Sequence, residues 1–209
     1  MKRIGLSHRV DIIESYGERR DSIDQEWYKL LLSMNYLPIP LPNINKEYVE
    51  LMASELKLDG LILTGGNSLS YLDKSAKDVA TERDEFESAL LDFMYSRNIP
   101  VIGVCRGMQV INYSLGGRLS KVHGHVSVRH ELINLSESIT LPKSVNSFHR
   151  WGVIENDLAV QLSPIGTDLQ GNIEAFVNEE ETILGIMWHP ERESPFNQLD
   201  INLLKRILK

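Results

Sequence analysis

Cys105 is the only cysteine of the chain, and it follows an apolar run that ends in Gly-Val-Cys-Arg-Gly, residues 103–107. A nucleophile on a sharp strand-to-helix turn tolerates almost no side chain two residues to either side, which explains both glycines. The turn also places the sulfur at a helix N-terminus, where free backbone N–H groups favour the thiolate. A lone cysteine can equally be a small buried core residue. The paired glycines favour the nucleophile.

A second motif whose side chains could take part in catalysis is Trp-His-Pro-Glu at 188–191, directly after another apolar run. A thiol nucleophile needs a base and a group that orients this base. Because Pro190 fixes its own backbone angle φ, His189 and Glu191 leave the strand end in a set relationship. The spacing predicts that His189 takes the proton of Cys105 while Glu191 holds the His189 tautomer.

The oxyanion formed in such a reaction needs backbone donors. Gly65 and Gly66 follow the apolar run 61–63, and Arg106 follows the nucleophile. We therefore expect the amides of Gly66 and Arg106 to form an oxyanion hole. A glycine pair can also be an ordinary turn without function.

These motifs need a scaffold that brings the ends of separate strands together. The first half of the sequence alternates strand patterns at 3–8, 37–41, 61–63 and 101–104 with helix patterns at 46–57, 78–97 and 107–115. A capping box at 22–25 predicts the start of a further helix. Short strands are expected at 126–128, 139–141, 158–162, 173–177 and 183–188, before a closing helix at 199–208.

This order of elements predicts one α/β domain, residues 1–209, with a mainly parallel central sheet and antiparallel additions in the C-terminal half. Ligand sites in such sheets lie at the carboxyl ends of the strands, where the motifs should converge. The formal net charge of −7 argues against a nucleic-acid or anionic-membrane surface. A single cysteine excludes an internal disulfide, and no apolar run has signal-peptide or membrane-spanning length, so we expect a cytoplasmic protein. A homodimer is compatible with the sequence.

Four motifs carry a family resemblance: Leu-Thr-Gly-Gly-Asn at 63–67, Gly-Val-Cys-Arg-Gly-Met-Gln at 103–109, Val-Asn-Ser-Phe-His at 145–149 and Trp-His-Pro-Glu at 188–191. Together they resemble class I glutamine amidotransferase domains and, more narrowly, the gamma-glutamyl-gamma-aminobutyrate hydrolase group. The resemblance implies a flavodoxin-like three-layer sandwich with a Cys-His-Glu triad and no cofactor. It also implies hydrolysis of a small γ-glutamyl amide through a γ-glutamyl thioester on Cys105, with release of glutamate.

The same resemblance implies a glutamyl pocket lined by Gly65, Asn67, Gln109, Asn146, Ser147, Phe148 and His149. Asn146 and Ser147 can also be ordinary turn residues. Arg106 favours a free-standing hydrolase, since synthase-linked amidotransferases usually have an apolar residue there. The alternative is a glutaminase subunit that delivers ammonia to a separate synthase. A binding module without activity is a third interpretation, and it predicts an unreactive Cys105.

Two further features have open roles. Arg19 and Arg20 lie in the polar stretch 8–21, which is either a solvated loop or a grip for an anionic leaving group such as phosphate. Some short members of the family resemble capsule-phosphoramidate enzymes, which act on a γ-glutamyl-cytidine-diphosphate amidate, so a nucleotide-linked substrate is the sharper hypothesis. His123, His125 and His130 could form a transition-metal patch. No carboxylate or thiolate completes it at a recognisable spacing, so we expect no metal and place these histidines at the rim of the cleft.

Overall fold

The computed structural model describes all residues, 1–209. The strands are β1 (Arg3–Ser7), β2 (Arg9–Ile13), β3 (Glu18–Ser22), β4 (Leu37–Leu41), β5 (Gly60–Leu63), β6 (Val101–Val104), β7 (Ser120–Lys121), β8 (Val126–Glu131), β9 (Ile133–Asn134), β10 (Ser144–Phe148), β11 (Trp151–Gly152), β12 (Leu162–Thr167), β13 (Ile173–Asn178) and β14 (Ile183–Ile186). The helices are α1 (Glu26–Ser33), α2 (Val49–Leu56), α3 (Thr81–Ser96), α4 (Arg106–Ser114) and α5 (Gln198–Ile207). None of the helices has the length and apolar character that crossing a membrane would require.

Eight strands form the central sheet, in the order β4-β1-β5-β6-β14-β13-β12-β9. The first five are parallel to their neighbours, and β13, β12 and β9 continue the sheet in antiparallel fashion. The late strand β14 lies beside β6, with Ile186 opposite Val104. The predicted mainly parallel sheet with antiparallel additions is confirmed. The register places the residues after Val104 and after Ile186 at the same edge of the sheet.

Helices cover both faces of the sheet, which makes three layers. On one face, Trp27 and Leu30 of α1 share a buried core with Leu203 of α5. On the other face, Val49 of α2, Phe86 of α3 and Ile111 of α4 belong to a second core. Burial of each large apolar side chain contributes about 1.5–3 kcal/mol, so both cores hold the sheet rigid beneath the site. The flavodoxin-like sandwich is confirmed.

The predicted loop 8–21 is instead a β-hairpin, and the predicted capping box is wrong. β2 and β3 pair antiparallel, from Arg9 opposite Ser22 to Ile13 opposite Glu18. Ser22 is part of this ladder, and its hydroxyl donates to Asp11 rather than capping a helix. The Oδ1 atom of Asp24 accepts from the amide of Glu26 at 3.0 Å and starts α1. The strands of the hairpin are largely exposed, so they lack the apolar alternation that would have predicted them.

Three segments in the second half also differ from the predictions. Residues 139–141 form no strand, although Ile139 and Leu141 are buried. The predicted strand 158–162 is mostly a bend and a turn that follow the 3-10 turn Glu155–Asp157, and strand β12 begins only at Leu162. β10 was not expected, because its sequence, Ser-Val-Asn-Ser-Phe, is typical of a turn. Antiparallel pairing with β8 overrides that local preference.

Candidate active site

Cys105 occupies a sharp turn between β6 and α4, with φ 52° and ψ −104°. A residue with a side chain rarely adopts a positive φ, so the surrounding structure must hold this conformation. The two flanking glycines explain how. A Cβ atom on Gly103 would lie 2.4 Å from the carbonyl carbon of Gly107, and a Cβ atom on Gly107 would lie 2.0 Å from the carbonyl oxygen of Leu63. The chain passes too closely here for any side chain.

The environment of Cys105 favours the thiolate. Burial raises the pKa of the thiol, but the positive charge of the adjacent His189 and the backbone amide of Arg106 outweigh burial and lower this pKa below its usual value. Burial lowers the pKa of His189, whereas the thiolate of Cys105 and the carboxylate of Glu191 raise it to about 9. Both shifts favour a thiolate–imidazolium pair.

His189 is held by partners at both its ring and its backbone. Its Nδ1 atom lies 2.7 Å from Oε1 of Glu191, a distance that fits a strong hydrogen bond. The backbone amide of His189 donates to Oδ1 of Asn146 at 2.9 Å, and its carbonyl accepts from Nδ2 of Asn146 at 2.8 Å. Gly65 lies against the ring, since a Cβ atom there would be 2.6 Å from Cε1. These contacts leave Nε2 free to face the sulfur.

The ion pair predicts an unusual pH dependence of thiol reactivity. Between pH 8 and pH 7 an ordinary cysteine of pKa about 8.5 loses roughly eightfold of its thiolate. We expect the rate of Cys105 alkylation by iodoacetamide to change by clearly less than this eightfold factor over the same range, because its thiol pKa is lowered. The His189→Ala variant should recover the eightfold change. An ordinary profile in the wild-type protein would exclude the thiolate–imidazolium pair.

The loop after β5 carries the expected oxyanion donor and is held from below by Arg83. The Arg83 side chain is completely buried and donates to the carbonyl oxygens of Thr64 at 2.7 Å, Gly65 at 3.2 Å and Gly66 at 2.7 Å. With these carbonyls facing the guanidinium, the amide of Gly66 donates to no protein acceptor. This amide is free to bind the oxyanion of a substrate.

Arg83 belongs to a buried ionic network that reaches Arg106, the residue after Cys105. Its Nε atom donates to Glu87 at 2.8 Å, and Glu87 also binds the guanidinium of Arg106. Asp84 is the second partner of Arg106. Burial raises the pKa of Glu87, but Arg106 and Arg83 outweigh burial and hold it below its usual value. One carboxylate thus connects Arg83 and the oxyanion loop, residues 64–66, to the residue that follows Cys105.

Two cavities meet at Gly66. The larger is a cleft of about 880 Å³, and the residues predicted for the site that line it are Gly66, Asn67, Cys105, Arg106, Gln109, Phe148 and His149. The smaller cavity, of about 260 Å³, is lined by Gly65, Gly66, His189 and Glu191 among others. Within the larger cleft, Gln109 donates to the carbonyl of Trp151 at 2.8 Å, and the Phe148 ring lies edge-on to His189 with 5.7 Å between the ring centroids.

The structure gives three of the predicted pocket residues other tasks. The side-chain amide of Asn146 binds the backbone of His189, as described above, and its Nδ2 atom also donates to Oε1 of Glu193 at 2.8 Å. The hydroxyl of Ser147 is completely buried and donates to the carbonyl of His125 at 2.9 Å. The amide oxygen of Asn67 accepts from the backbone of Val10 at 2.7 Å and so ties the hairpin to the oxyanion loop. These side chains support the site and contribute no free polar group to the cleft.

Arg19 and Arg20 do not reach either cavity. The guanidinium of Arg19 pairs with Glu82, and that of Arg20 pairs with Glu18 on the same strand. Of the three arginines of the hairpin, Arg9 is the one that faces the site, and its Cδ atom lies 3.1 Å from where a Cβ of Gly66 would be. The hairpin register explains this position, because Arg9 begins the ladder and lies two residues after the carboxyl end of β1.

The predicted cluster of histidines divides. His123 lines the larger cleft, as expected. His125 and His130 turn away from it and converge with His149 and Glu174. A carboxylate does join these histidines, but Glu174 lies 44 positions after His130 within the buried strand β13, a separation at which no sequence spacing reveals it.

With this geometry established, two comparisons decide the family. The family model for peptidase C26 matches residues 4–138 and 120–191. The gamma-glutamyl-CDP-amidate hydrolase of Campylobacter jejuni is 31% identical over 202 residues, which cover 95% of this chain and 94% of that protein. The chain belongs to the peptidase C26 family. This membership confirms the predicted class I glutamine amidotransferase-like family and the expectation of a hydrolase.

Other relatives of this peptidase C26 protein agree with the assignment. The gamma-glutamyl-gamma-aminobutyrate hydrolase of Escherichia coli O157:H7 is 27% identical over 215 residues, covering 85% of this chain and 82% of that protein. A solved structure of a glutamine amidotransferase from Thermotoga maritima superimposes with a TM-score of 0.65 at 15% identity, covering 99% of this chain and 84% of the other. At that identity the structural match supports the fold alone.

Sequence reasoning missed Arg83 and Glu87 in this peptidase C26 site, although a signal was present. Arg83, Glu87, Leu90 and Met94 recur at spacings of four, three and four, so they share one face of α3. Leu90 and Met94 mark that face as buried. An arginine and a glutamate on a buried helical face must be paired, and such a pair is a candidate for a supporting role near a site.

Proposed function

We propose that this protein is a free-standing cysteine hydrolase that cleaves the amide bond of a small γ-glutamyl conjugate. The observation that carries the proposal is the convergence of Cys105, His189 and Glu191 at the carboxyl ends of two adjacent strands, with the thiol pKa lowered by the imidazole. The names of two relatives support the substrate class, since both specify hydrolases of γ-glutamyl compounds.

The reaction would begin with attack of the Cys105 thiolate on the γ-carbonyl carbon of the glutamyl group. The amides of Gly66 and Arg106 would bind the resulting oxyanion. His189, which is protonated in the ion pair, would give its proton to the leaving nitrogen as the C–N bond breaks. A γ-glutamyl thioester then remains on Cys105. His189 would next take a proton from water, whose oxygen attacks the thioester and releases glutamate.

The larger cleft also indicates which leaving group it could hold. Lys77, Lys121 and Arg150 line it, and none of the three forms an ion pair. Unpaired cations at the mouth of a cleft favour an anionic ligand. We therefore extend the proposal to a nucleotide-linked substrate, such as the γ-glutamyl-CDP-amidate of capsule phosphoramidate biosynthesis. A reducing compartment such as the cytoplasm would suit a catalytic thiol.

The first test measures glutamate release by the purified protein alone. The substrates are glutamine, γ-glutamyl-γ-aminobutyrate and γ-glutamyl-CDP-amidate, and Cys105→Ala is the control. Strong preference for one conjugate supports the free-standing hydrolase and names its leaving group. Negligible release from all three, together with fast alkylation of Cys105, would contradict the proposal and favour a glutaminase subunit that needs a synthase partner. Slow alkylation would favour a binding module instead.

Replacing Lys121 or Arg150 with Met tests the anionic leaving group. We expect the KM for γ-glutamyl-CDP-amidate to rise about tenfold in each variant, because a lost charge contact is worth about 1.4 kcal/mol. The KM for γ-glutamyl-γ-aminobutyrate should stay within about twofold. Arg19→Met is the matched control, since that arginine lies outside the cleft and pairs with Glu82. Equal changes for both substrates would remove the nucleotide-linked hypothesis.

A further inference from the structure

Four side chains converge next to the catalytic cleft, in a group that the proposed hydrolysis does not use. His125 follows β7, His130 lies in β8, His149 follows β10, and Glu174 lies in β13. One nitrogen of each imidazole and one carboxylate oxygen all lie within 4.8 Å of one another. Three segments that are distant in sequence, 125–130, the end of β10 and β13, thus bring three nitrogen ligands and one oxygen ligand to a single point.

Four of the polar atoms that face this point have no hydrogen-bond partner: both carboxylate oxygens of Glu174, Nε2 of His130 and Nε2 of His149. The fifth, Nδ1 of His125, lies 3.4 Å from the hydroxyl oxygen of Ser147. The side chains of Glu174 and His149 are each only 1% exposed. A buried carboxylate without a partner is strongly unfavourable, and native proteins pair such groups or use them to bind a cation.

The distances between these atoms fit a shared ion better than direct hydrogen bonds. Oε1 of Glu174 lies 3.5 Å from Nε2 of His149 and 3.8 Å from Nδ1 of His125, and Oε2 lies 3.5 Å from Nε2 of His130. An N–H···O hydrogen bond is about 2.7–3.2 Å long. Ligand atoms that surround Zn²⁺ as a tetrahedron, with bonds of about 2.0–2.2 Å, are separated by about 3.3–3.6 Å.

The second nitrogen of each ring is already held by an oxygen. Nδ1 of His130 lies 3.2 Å from the carbonyl of Glu131, and Nδ1 of His149 lies 3.0 Å from the carbonyl of Trp151. Nε2 of His125 lies 3.1 Å from a carboxylate oxygen of Asp168. Each contact favours the tautomer whose inward nitrogen carries no proton, which is the usual arrangement around metal-bound histidines.

We propose that His125, His130, His149 and Glu174 bind a Zn²⁺ ion with tetrahedral coordination. Three neutral imidazoles and one carboxylate suit a borderline divalent ion, whereas Mg²⁺ and Ca²⁺ prefer oxygen ligands. The ion can enter past His130, whose side chain is 16% exposed while the other three ligands are buried.

The ion would act on the cleft through His149. This residue lines the cleft, and its Nδ1 atom shares the carbonyl of Trp151 with the side chain of Gln109. Zn²⁺ would therefore fix two side chains of the cleft wall and join β8 and β13 to the segment after β10. Its role would be structural, and no step of the proposed hydrolysis needs it.

Metal content is the direct test. The protein is stripped with a chelator, incubated with Zn²⁺ and desalted, and zinc is measured per chain. We expect one equivalent, a rise in Tm of roughly 5 °C on loading, and the strong visible absorption of tetrahedral Co²⁺ when cobalt replaces zinc. Glu174→Gln and His130→Ala should lose the bound ion. Asp168→Asn should weaken binding about 10–100-fold through His125.

His123→Ala is the matched control, because this histidine belongs to the same segment but lies outside the cluster. It should keep one equivalent of zinc. Less than about a tenth of an equivalent in the wild-type protein, or equal binding by wild-type and Asp168→Asn, would overturn the proposal and leave the cluster as an ion-pair network. Should Glu174→Gln fail to fold, the wild-type stoichiometry and the Co²⁺ spectrum still decide.

Discussion

Cys105→Ala should lower kcat/KM for glutamate release by about 10⁴-fold or more, because the proposed mechanism passes through a thioester and the chain has no second cysteine. The substitution keeps the Cβ atom at a position where φ is 52°, so it adds no backbone strain. Thermal unfolding should consequently change little. The measurement is single-substrate kinetics with a far-ultraviolet circular dichroism spectrum beside it. Retention of more than about 1% of wild-type activity would exclude Cys105 as the nucleophile.

Glu191→Gln is the matching variant that tests the carboxylate bound to His189. It preserves the shape of the side chain that holds His189 but removes the charge that stabilises the imidazolium. We expect a loss of about 10²–10⁴-fold in kcat, smaller than that for Cys105→Ala, since loss of the orienting carboxylate leaves nucleophile and base in place. Equal activity of Glu191→Gln and wild type would assign the carboxylate a purely structural role.

Arg83→Met should produce the second large effect, on stability and on kcat together. The buried guanidinium holds three carbonyl oxygens of the oxyanion loop, and its loss leaves these acceptors and one bond of Glu87 unpaired. Breaking a buried ion pair by removing one partner costs about 3–5 kcal/mol of unfolding free energy. A displaced oxyanion donor lowers kcat by about 10²–10³-fold. Urea unfolding and steady-state kinetics measure the two effects.

The effect of Arg83→Met on kcat can be distinguished from a general loss of stability in two ways. Arg19→Met removes an arginine that pairs with Glu82, one residue before Arg83, but on the exposed side of α3. An exposed pair is worth about 0–1 kcal/mol, so this control should unfold almost as the wild type does. If Arg83 positions the loop, Arg83→Met should reduce kcat far more than it raises KM under conditions where it is fully folded. A loss of kcat no larger than that of Arg19→Met would contradict this role.

The parallel half of the fold was predictable because each element carries its own local signal. Strands such as β5 and β6 are continuous apolar runs, as expected where both faces of a sheet are covered by helices. Because parallel strands end at one edge, the motifs after β5 and β6 could be placed next to each other without coordinates. The same reasoning holds for the residues after β14, where the structure brings His189 to Cys105.

The elements that escaped prediction depend on partners far away in the sequence. β10 has a turn-like sequence and becomes a strand only through its pairing with β8. The inward direction of Glu174 follows from the position of β13 between β12 and β14, which no local pattern reveals. Asn146 likewise has polar chemistry that suits a substrate, and only the structure shows its amide bound to the backbone of His189. Motif reasoning finds polar residues near a site but cannot decide what they contact.

The position of β14 has a consequence for the order in which the protein is made. This strand is inserted between β6 and β13, although it is synthesised after both. A nascent chain that has reached only residue 180 carries Cys105 beside a gap in the sheet and lacks His189, whose charge lowers the thiol pKa. Since the pairing of β14 is non-local, His189 reaches the sulfur only when the sheet closes. Insertion of β14 thus completes the sheet and brings the imidazole to the thiol in one step.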